Sequence, residues 1–381
     1  MIKLSRSSAG SAALVISTAL AAVLLLSFPE ETAGGISRGL MYSAQMLIPS
    51  LFPFMLLSSF MIRSGAADIL GRALSFVFSR LFRLPPAASA AVILSFIGGY
   101  PVGAGCVRTL CDRKAISSVQ AEQMMMFCVC SGPAFLITGV GTLLLHSTEA
   151  GVIIYASQVI SGLILGVISG RIYNRGTKRQ PDKDLRGSPP QANDPADAFI
   201  MSCRDASWSI IGLTAMVSVF TMLISVLSET GIPGLIAEFL KLLGVDACIA
   251  EHALLIAAEV TGACHEIAEG GCPLWLISAA AGFGGLCVHF QIFSILGDIK
   301  LRKSRFFLFR TGNAFLSSVI VYIVCRLRHQ TAGVFAGSLE VKAELSSVSA
   351  VGAVVLVLMS AVFVMSLKAD PQNGVSVRKR R

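Results

Sequence analysis

The sequence predicts an all-α polytopic membrane protein, with about eight transmembrane helices and two re-entrant helical hairpins arranged as an inverted repeat. Three observations carry that prediction. The 381 residues are 54% hydrophobic and only 14% charged, with a mean hydropathy of +0.74, which leaves too little polar surface to coat a soluble globule. Two apolar segments are broken near their centres by glycine or proline, and each has ends of one charge character. The order of elements in the first half also returns in the second.

Charge reports topology here, not a nucleic-acid partner. The net charge is +9, but Lys and Arg bracket apolar segments instead of forming one stripe interleaved with aromatics. Short loops rich in Lys and Arg stay on the cytoplasmic side. The ten cysteines lie mostly in apolar segments without a CxxC pair or zinc-type spacing, so they are expected to be reduced, buried small hydrophobes.

Lys3 and Arg6 precede a first span, Ser11 to Ser27, running outward as an uncleaved helix. Phe28 to Gly39, with Glu30 and Glu31 against one arginine, is expected as an outer loop, and Leu40 to Ile62 returns inward. In "AADILGRALSFVFSRLFRLP", Arg72, Arg80 and Arg83 fall within about 80° of one another on a helix, giving a basic amphipathic helix in the cytoplasmic interface.

Ala87 to Val107 contains "SFIGGYPVGAG" and is flanked by Arg83 on one end and Arg108, Arg113 and Lys114 on the other. A segment with both ends basic cannot cross once and obey the charge rule. It is therefore read as entering and turning back, with Gly98, Gly99 and Pro101 at the tip; a full span kinked at Pro101 is the alternative. Val119 to His146 then crosses outward, interrupted by Ser131-Gly132-Pro133, where Ser131 suits an N-cap and Pro133 a first helical turn. Gly151 to Tyr173 returns, and Arg171 to Ala198 forms a charged cytoplasmic linker.

The second half repeats this order. "FMLLSSFMIRSG" (Phe54 to Gly65) lies over "FTMLISVLSETG" (Phe220 to Gly231), and both precede an amphipathic helix, here Ile232 to Gly244. A second broken apolar segment, Ala253 to Gly271, places Gly262 over Gly99. The span Leu274 to Leu296 places Gly284-Gly285 over Ser131-Gly132. Asp246, Glu251, Glu266 and Glu269 flank the second hairpin, so it is expected to enter from outside, and an odd number of crossings inverts this copy. Lys300, Arg302, Lys303 and Arg305 lie inside; Phe306 to Cys325 goes out, a last span near Ser347 to Leu367 returns, and "RKRR" ends inside. Arg326 and Arg328 violate the rule locally. The expected organisation is an N-terminal helix and loop (1–40), a first repeat (41–173), a linker (174–198), a second repeat (199–327) and a C-terminal helix with a basic tail (328–381), both termini being cytoplasmic.

Paired broken helices are the mark of secondary transporters, because half-helix N-termini present unpaired N–H groups and freed carbonyls can coordinate a cation. The candidate substrate site therefore comprises Gly98, Gly99, Tyr100, Pro101 and Gly103 at the first tip and Ser131, Gly132 and Pro133 at the first break. Glu259, Thr261 and Gly262 come from the second hairpin, Gly284, Gly285, His289 and Gln291 from the second break, and Asn313 from the span after it. Glu259 stands in an apolar run, where an ionisable side chain is costly, so it is a candidate for the substrate or coupling-ion path. Arg310 is expected to snorkel to the cytoplasmic interface. No catalytic function is expected: "HEIAE" (His265 to Glu269) lacks the second histidine of a zinc protease, and no serine–histidine or GxGD constellation appears. No metal or cofactor is expected beyond a coupling proton or sodium ion; the expected partners are a small-molecule substrate, the lipid bilayer and possible further copies of the chain, and not nucleic acid.

"IPSLFPFMLLSSFMI", "GGYPVGA" (Gly98 to Ala104) and "SGPAFLITGVG" (Ser131 to Gly141) together resemble the YlbJ-type sporulation integral membrane proteins. These carry the nucleoside-recognition, or Gate, domain that is also similar to concentrative nucleoside transporters and to the permease part of ferrous-iron transporters. The resemblance runs from about Met41 to Leu327 and departs from the usual pattern in the long charged linker and the extra C-terminal span. It implies a role in bacterial endospore formation, in the mother-cell-side membrane of the forespore, exporting a dipicolinate-like or nucleoside-like metabolite. A membrane scaffold that keeps a transporter-derived fold without transporting is the alternative. Paired Gly-Pro tips and Glu259 at midplane depth argue against it.

Overall fold

The computed structural model describes residues 8–173 and 194–329. Most of the linker, the span expected near Ser347 to Leu367 and the basic tail lie outside the described residues. The elements run α1 (Ser8–Ser27), α2 (Pro29–Tyr42), a π-helical turn (Ser43–Leu47), α3 (Ile48–Arg63), α4 (Ala66–Phe82), α5 (Ala88–Gly98), α6 (Tyr100–Asp112), α7 (Ser118–Met125), a π-helix (Ala134–Leu144) and α8 (Thr148–Tyr173). After the linker come α9 (Pro195–Glu229), α10 (Ile232–Leu242), α11 (Ala247–Ala258), α12 (Val260–Glu269), α13 (Leu274–Phe283), α14 (Gly285–Leu296) and α15 (Lys303–His329). All regular structure among the described residues is helical. Among the described residues, five stretches are long and apolar enough to cross a membrane: Pro29–Arg63, Thr148–Tyr173, Pro195–Glu229, Leu274–Leu296 and Lys303–Arg328. The protein is a polytopic membrane protein.

The same order of elements occurs before and after the linker. A 35-residue helical run, Pro29–Arg63 or Pro195–Glu229, ends at a left-handed glycine, Gly65 or Gly231, where φ is +78° or +73°. A helix with strongly segregated faces follows, then two short helices, a helix broken in its middle, and a long closing helix of 26 or 27 residues.

From Pro29 onward the stretch Phe28 to Gly39 is helix, not the outer loop expected. Pro29 occupies the first helical turn, where its missing N–H costs nothing, and Glu30 and Glu31 face the positive end of the dipole. Gly35 and Gly39 then let α2 lie directly on α9: a Cβ on Gly35 would sit 2.5 Å from the Met222 Cα. Small residues at this spacing are the usual means of close helix approach where lipid supplies no hydrophobic drive.

Both broken apolar segments fold as hairpins. The arms α5 and α6 have 11 and 13 residues, and α11 and α12 have 12 and 10. At 1.5 Å per residue each arm is about 15–20 Å long, well short of the roughly 30 Å hydrocarbon core. Gly99 turns the first at φ +83°, a region that favours glycine. Glu259 turns the second in an extended conformation (φ −149°, ψ 128°). The turn thus falls at Glu259, three residues before the Gly262 that the sequence comparison placed over Gly99.

Each hairpin has its two ends together. Gln123 on α7 donates to the carbonyl of Phe82 (2.6 Å), and the Phe82 and Phe127 rings lie 4.9 Å apart, so the chain leaves the first hairpin beside where it entered. Cys248 and Cys272 form a disulfide with Cα atoms 6.0 Å apart, joining the start of α11 to the loop after α12. This corrects the expectation that every cysteine is a free, buried apolar residue. The pairing depends on the hairpin closing, which brings together residues 24 apart in sequence.

Candidate functional site

Each hairpin tip abuts the helix break that follows it. A Cβ on Gly99 would come within 3.2 Å of the Gly132 backbone nitrogen, and one on Gly132 within 3.1 Å of that of Gly99. In the second half a Cβ on Gly285 would stand 2.9 Å from the Ala258 carbonyl oxygen and 3.0 Å from the Glu259 nitrogen. Glycine is required at both breaks because backbone packs on backbone, and Gly284 and Gly285 also take φ values of +87° and +68°.

The two halves are joined at the C-terminal end of α13. Ser131 donates to the Tyr100 phenolic oxygen, and Tyr100 donates on to the carbonyl of Ala281, with Ser131 also 3.3 Å from that oxygen. The Gly282 carbonyl accepts from Arg310 and, at 3.1 Å, from Asn313. The Phe283 carbonyl accepts from His289 (2.9 Å) and from Arg310 Nε (3.4 Å). The last carbonyls of a helix have no intrahelical donor. Here side chains from α6, the Ser131 break, α14 and α15 supply the donors, so these carbonyls are not free for a cation.

Arg310 is 1% exposed, and its guanidinium also donates to the Val129 carbonyl, just beyond α7. It does not snorkel to an interface. Its positive charge faces the last carbonyl groups of α13, where the helix dipole is negative. Asn313 lies in a buried network as well, donating to Gln158 (2.9 Å) and accepting from Ser161 (2.7 Å), while Gln158 donates to the Ser278 carbonyl (2.9 Å). His289 is packed edge-on among Phe283, Phe306 and Phe307 with centroids 4.9–5.2 Å away. Neither Asn313 nor His289 lines any of the three cavities described next.

Those cavities lie in sequence through the protein. A vestibule of about 690 Å³ lies on the side of the Cys248–Cys272 bridge, and Glu30, Glu31, Tyr42, Glu251, Glu259 and Gly262 are among its walls. A small cavity of about 30 Å³ sits between the hairpin tips. It is bounded by Gly99, Tyr100, Pro101, Gly132, Glu259, Thr261 and Gln291, with Leu51, Phe135, Leu213 and Val288 supplying apolar wall. A pocket of about 250 Å³ opens beyond the first tip, between Pro101 and the polar residues Arg63, Thr109, Arg113 and Asp205. Glu259 borders the first two cavities and Pro101 the last two.

Glu259 is 1% exposed and caps its own helix: Oε1 accepts from the Thr261 N–H (2.8 Å) and Oε2 from the Gly262 N–H (2.5 Å). The first free N–H groups of α12 are thus already taken by a side chain of the chain itself. Ser131 makes no corresponding cap. The π-helix begins after Pro133 without a side-chain cap, and the Ser131 hydroxyl instead points across to Tyr100 and Ala281. Gly98 and Gly103 face Val102 and Cys128, so they serve packing at the tip. Gly284 lies against the Tyr100 ring, where a Cβ would be 3.5 Å from the ring edge. The roles of Gln158, Ser161 and Ser278 were not read from sequence, since single polar residues in apolar helices carry no partner label. The signal for Arg310 was its position inside an apolar helix, three residues before Asn313.

The elements around the first tip and break coincide with a known domain. Residues 44–147 match the family model described as nucleoside recognition, or Gate. That region is similar to the Gate domain. It extends from the π-helical turn before α3 through the first hairpin and the first helix break. Over 323 residues the chain is 22% identical to the sporulation integral membrane protein YlbJ of Bacillus subtilis (strain 168), covering 79% of each chain. That alignment is too long to be confined to the Gate domain. No solved structure matches the chain.

Proposed function

We propose that this protein is a secondary transporter of a small polar or anionic metabolite, dipicolinate-like or nucleoside-like, acting in bacterial endospore formation. The carrying observation is the convergence of both hairpin tips, the first helix break and the first turns of α14 on one 30 Å³ cavity lying between a 690 Å³ vestibule and a 250 Å³ pocket. A cavity of 30 Å³ holds about one water, so a metabolite passes only if the hairpins shift. That is the requirement of alternating access. The two sets of elements, read with the positive-inside rule, form an inverted repeat: the first hairpin enters from the cytoplasm and the second from outside, where the Cys248–Cys272 disulfide suits an oxidising compartment. The sporulation role rests on the similarity to YlbJ.

The substrate path runs past Glu259, Thr261, Gly99, Tyr100, Pro101, Gly132 and Gln291, the predicted site residues that line the central cavity. Ser131, Arg310 and Asn313 hold the breaks in place around it. Uptake or release of labelled dipicolinate and of nucleosides by liposomes containing the purified protein tests the reading. Flux above that of empty liposomes for one of these classes is expected, and no flux for any under proton and sodium gradients would refute it.

A further inference from the structure

The pocket beyond the first hairpin tip and the vestibule beyond the second differ in charge. The vestibule is walled by six carboxylates, Glu30, Glu31, Glu229, Glu251, Glu259 and Glu266, against the single guanidinium of Arg38. The 250 Å³ pocket has two guanidiniums, Arg63 and Arg113, and one carboxylate, Asp205. Asp205 is already engaged: its Oδ2 accepts from Arg63 Nε at 2.8 Å, from a second Arg63 nitrogen and from Ser59 at 3.3 Å. Arg113 closes the C-terminal end of α6 through its backbone N–H, bonded to Thr109 at 3.1 Å. Its guanidinium has no carboxylate within ion-pair distance among the described residues. The adjacent Asp112 is held instead by Arg108 at 3.0 Å.

We propose that this pocket is an anion-loading site, in which Arg113, assisted by Arg63, receives a carboxylate of a small organic acid before it reaches the central cavity. The inference rests on the transporter reading above and adds a site to it. A guanidinium binds a carboxylate through two parallel hydrogen bonds, and in a walled pocket such a bond is worth more than at an open surface. Pro101, at the inner end of the pocket, also borders the central cavity, so an acid seated at Arg113 is next to the tip that must move. The acidic vestibule disfavours the same acid on the far side, which gives the path an electrostatic polarity from the arginine pocket outward.

Binding, measured separately from transport, tests the site. The full-length protein in nanodiscs is titrated calorimetrically with benzene-1,3-dicarboxylate, with its diamide as the uncharged control. Binding of the acid but not the diamide is expected, weakened about tenfold or more by R113Q and only partly kept by R113K, whose ammonium cannot make the paired hydrogen bonds. D205N should tighten it, because it frees Arg63 from its carboxylate. A merely structural Asp205 would give no such gain. Failure of the wild-type protein to bind the acid overturns the proposal, as does equal binding by wild type and a folded R113Q, or weaker binding by D205N. Acid binding lost in R113Q without flux in liposomes would leave the site standing and sink the transporter reading; flux with binding indifferent to R113Q would do the reverse.

Discussion

Tyr100, at the tip of the first hairpin, donates its phenolic hydrogen to the carbonyl of Ala281, near the C-terminal end of the broken helix in the opposite half. One hydrogen bond therefore ties the hairpin tip of the first half to the helix break of the second. Tyr100→Phe should destabilise the protein by about 1–2 kcal/mol, leaving Ala281 with only the longer bond from Ser131. Thermal unfolding in detergent would measure this, and an unchanged midpoint would show that the tie does not form.

Arg310 should be the least replaceable side chain at the centre. Arg310→Met leaves the Val129 carbonyl without its side-chain donor and weakens the capping of Gly282 and Phe283, at a cost of at least about 2 kcal/mol. Arg310→Lys should recover only part of that loss, since one ammonium cannot span three carbonyls in the planar arrangement of a guanidinium. Equal stability of wild type and Arg310→Met would place the side chain elsewhere.

One substitution separates the capping by Glu259 from the ion coupling that the transporter proposal assigns to it. In Glu259→Gln the amide oxygen still accepts from one of the two N–H groups at the start of α12, so the loss of stability should be about 1 kcal/mol. An amide cannot exchange a proton or balance a sodium charge. Gradient-driven accumulation should therefore vanish while substrate exchange persists, and full accumulation in this variant would make Glu259 a cap and nothing more.

The Cys248–Cys272 bridge should matter for stability more than for assembly of the hairpin. Closing a loop of this size contributes about 3 kcal/mol in the chain-entropy account, so Cys248→Ser with Cys272→Ser should lower the thermal midpoint. Polyethylene-glycol maleimide should label two more thiols in the denatured protein after reduction than before. An equal count would mean that the two cysteines are free.

Much of this arrangement was legible in the sequence where the signal is local. "SFIGGYPVGAG" marks a turn through residue types that only a broken helix needs, and the order of elements repeats even where the letters do not. Helix breaks at Ser131-Gly132-Pro133 and Gly284-Gly285 were visible for the same reason. What escaped depends on contacts between distant segments. Phe28 to Gly39 reads as a polar loop until Gly35 and Gly39 meet α9, and Cys248 reads as a lone apolar residue until the hairpin brings Cys272 beside it. Ser131 fits a cap by residue type, yet its hydroxyl is drawn to Tyr100 from another helix. Arg310 carried a charge signal without direction, and only the packed helix ends explain its depth.

The most direct measurement of the central claim, that two hairpins enter from opposite sides and meet, is side-specific cysteine labelling in right-side-out vesicles. In a background lacking free thiols but keeping the Cys248–Cys272 pair, Arg83→Cys and Lys114→Cys bracket the first hairpin, and Glu251→Cys and Glu269→Cys bracket the second. The account predicts that the first pair reacts with an impermeant maleimide only after the vesicles are opened, and that the second pair reacts in intact vesicles. Labelling of Arg83→Cys and Lys114→Cys from opposite sides would make the first hairpin an ordinary span and contradict the inverted repeat.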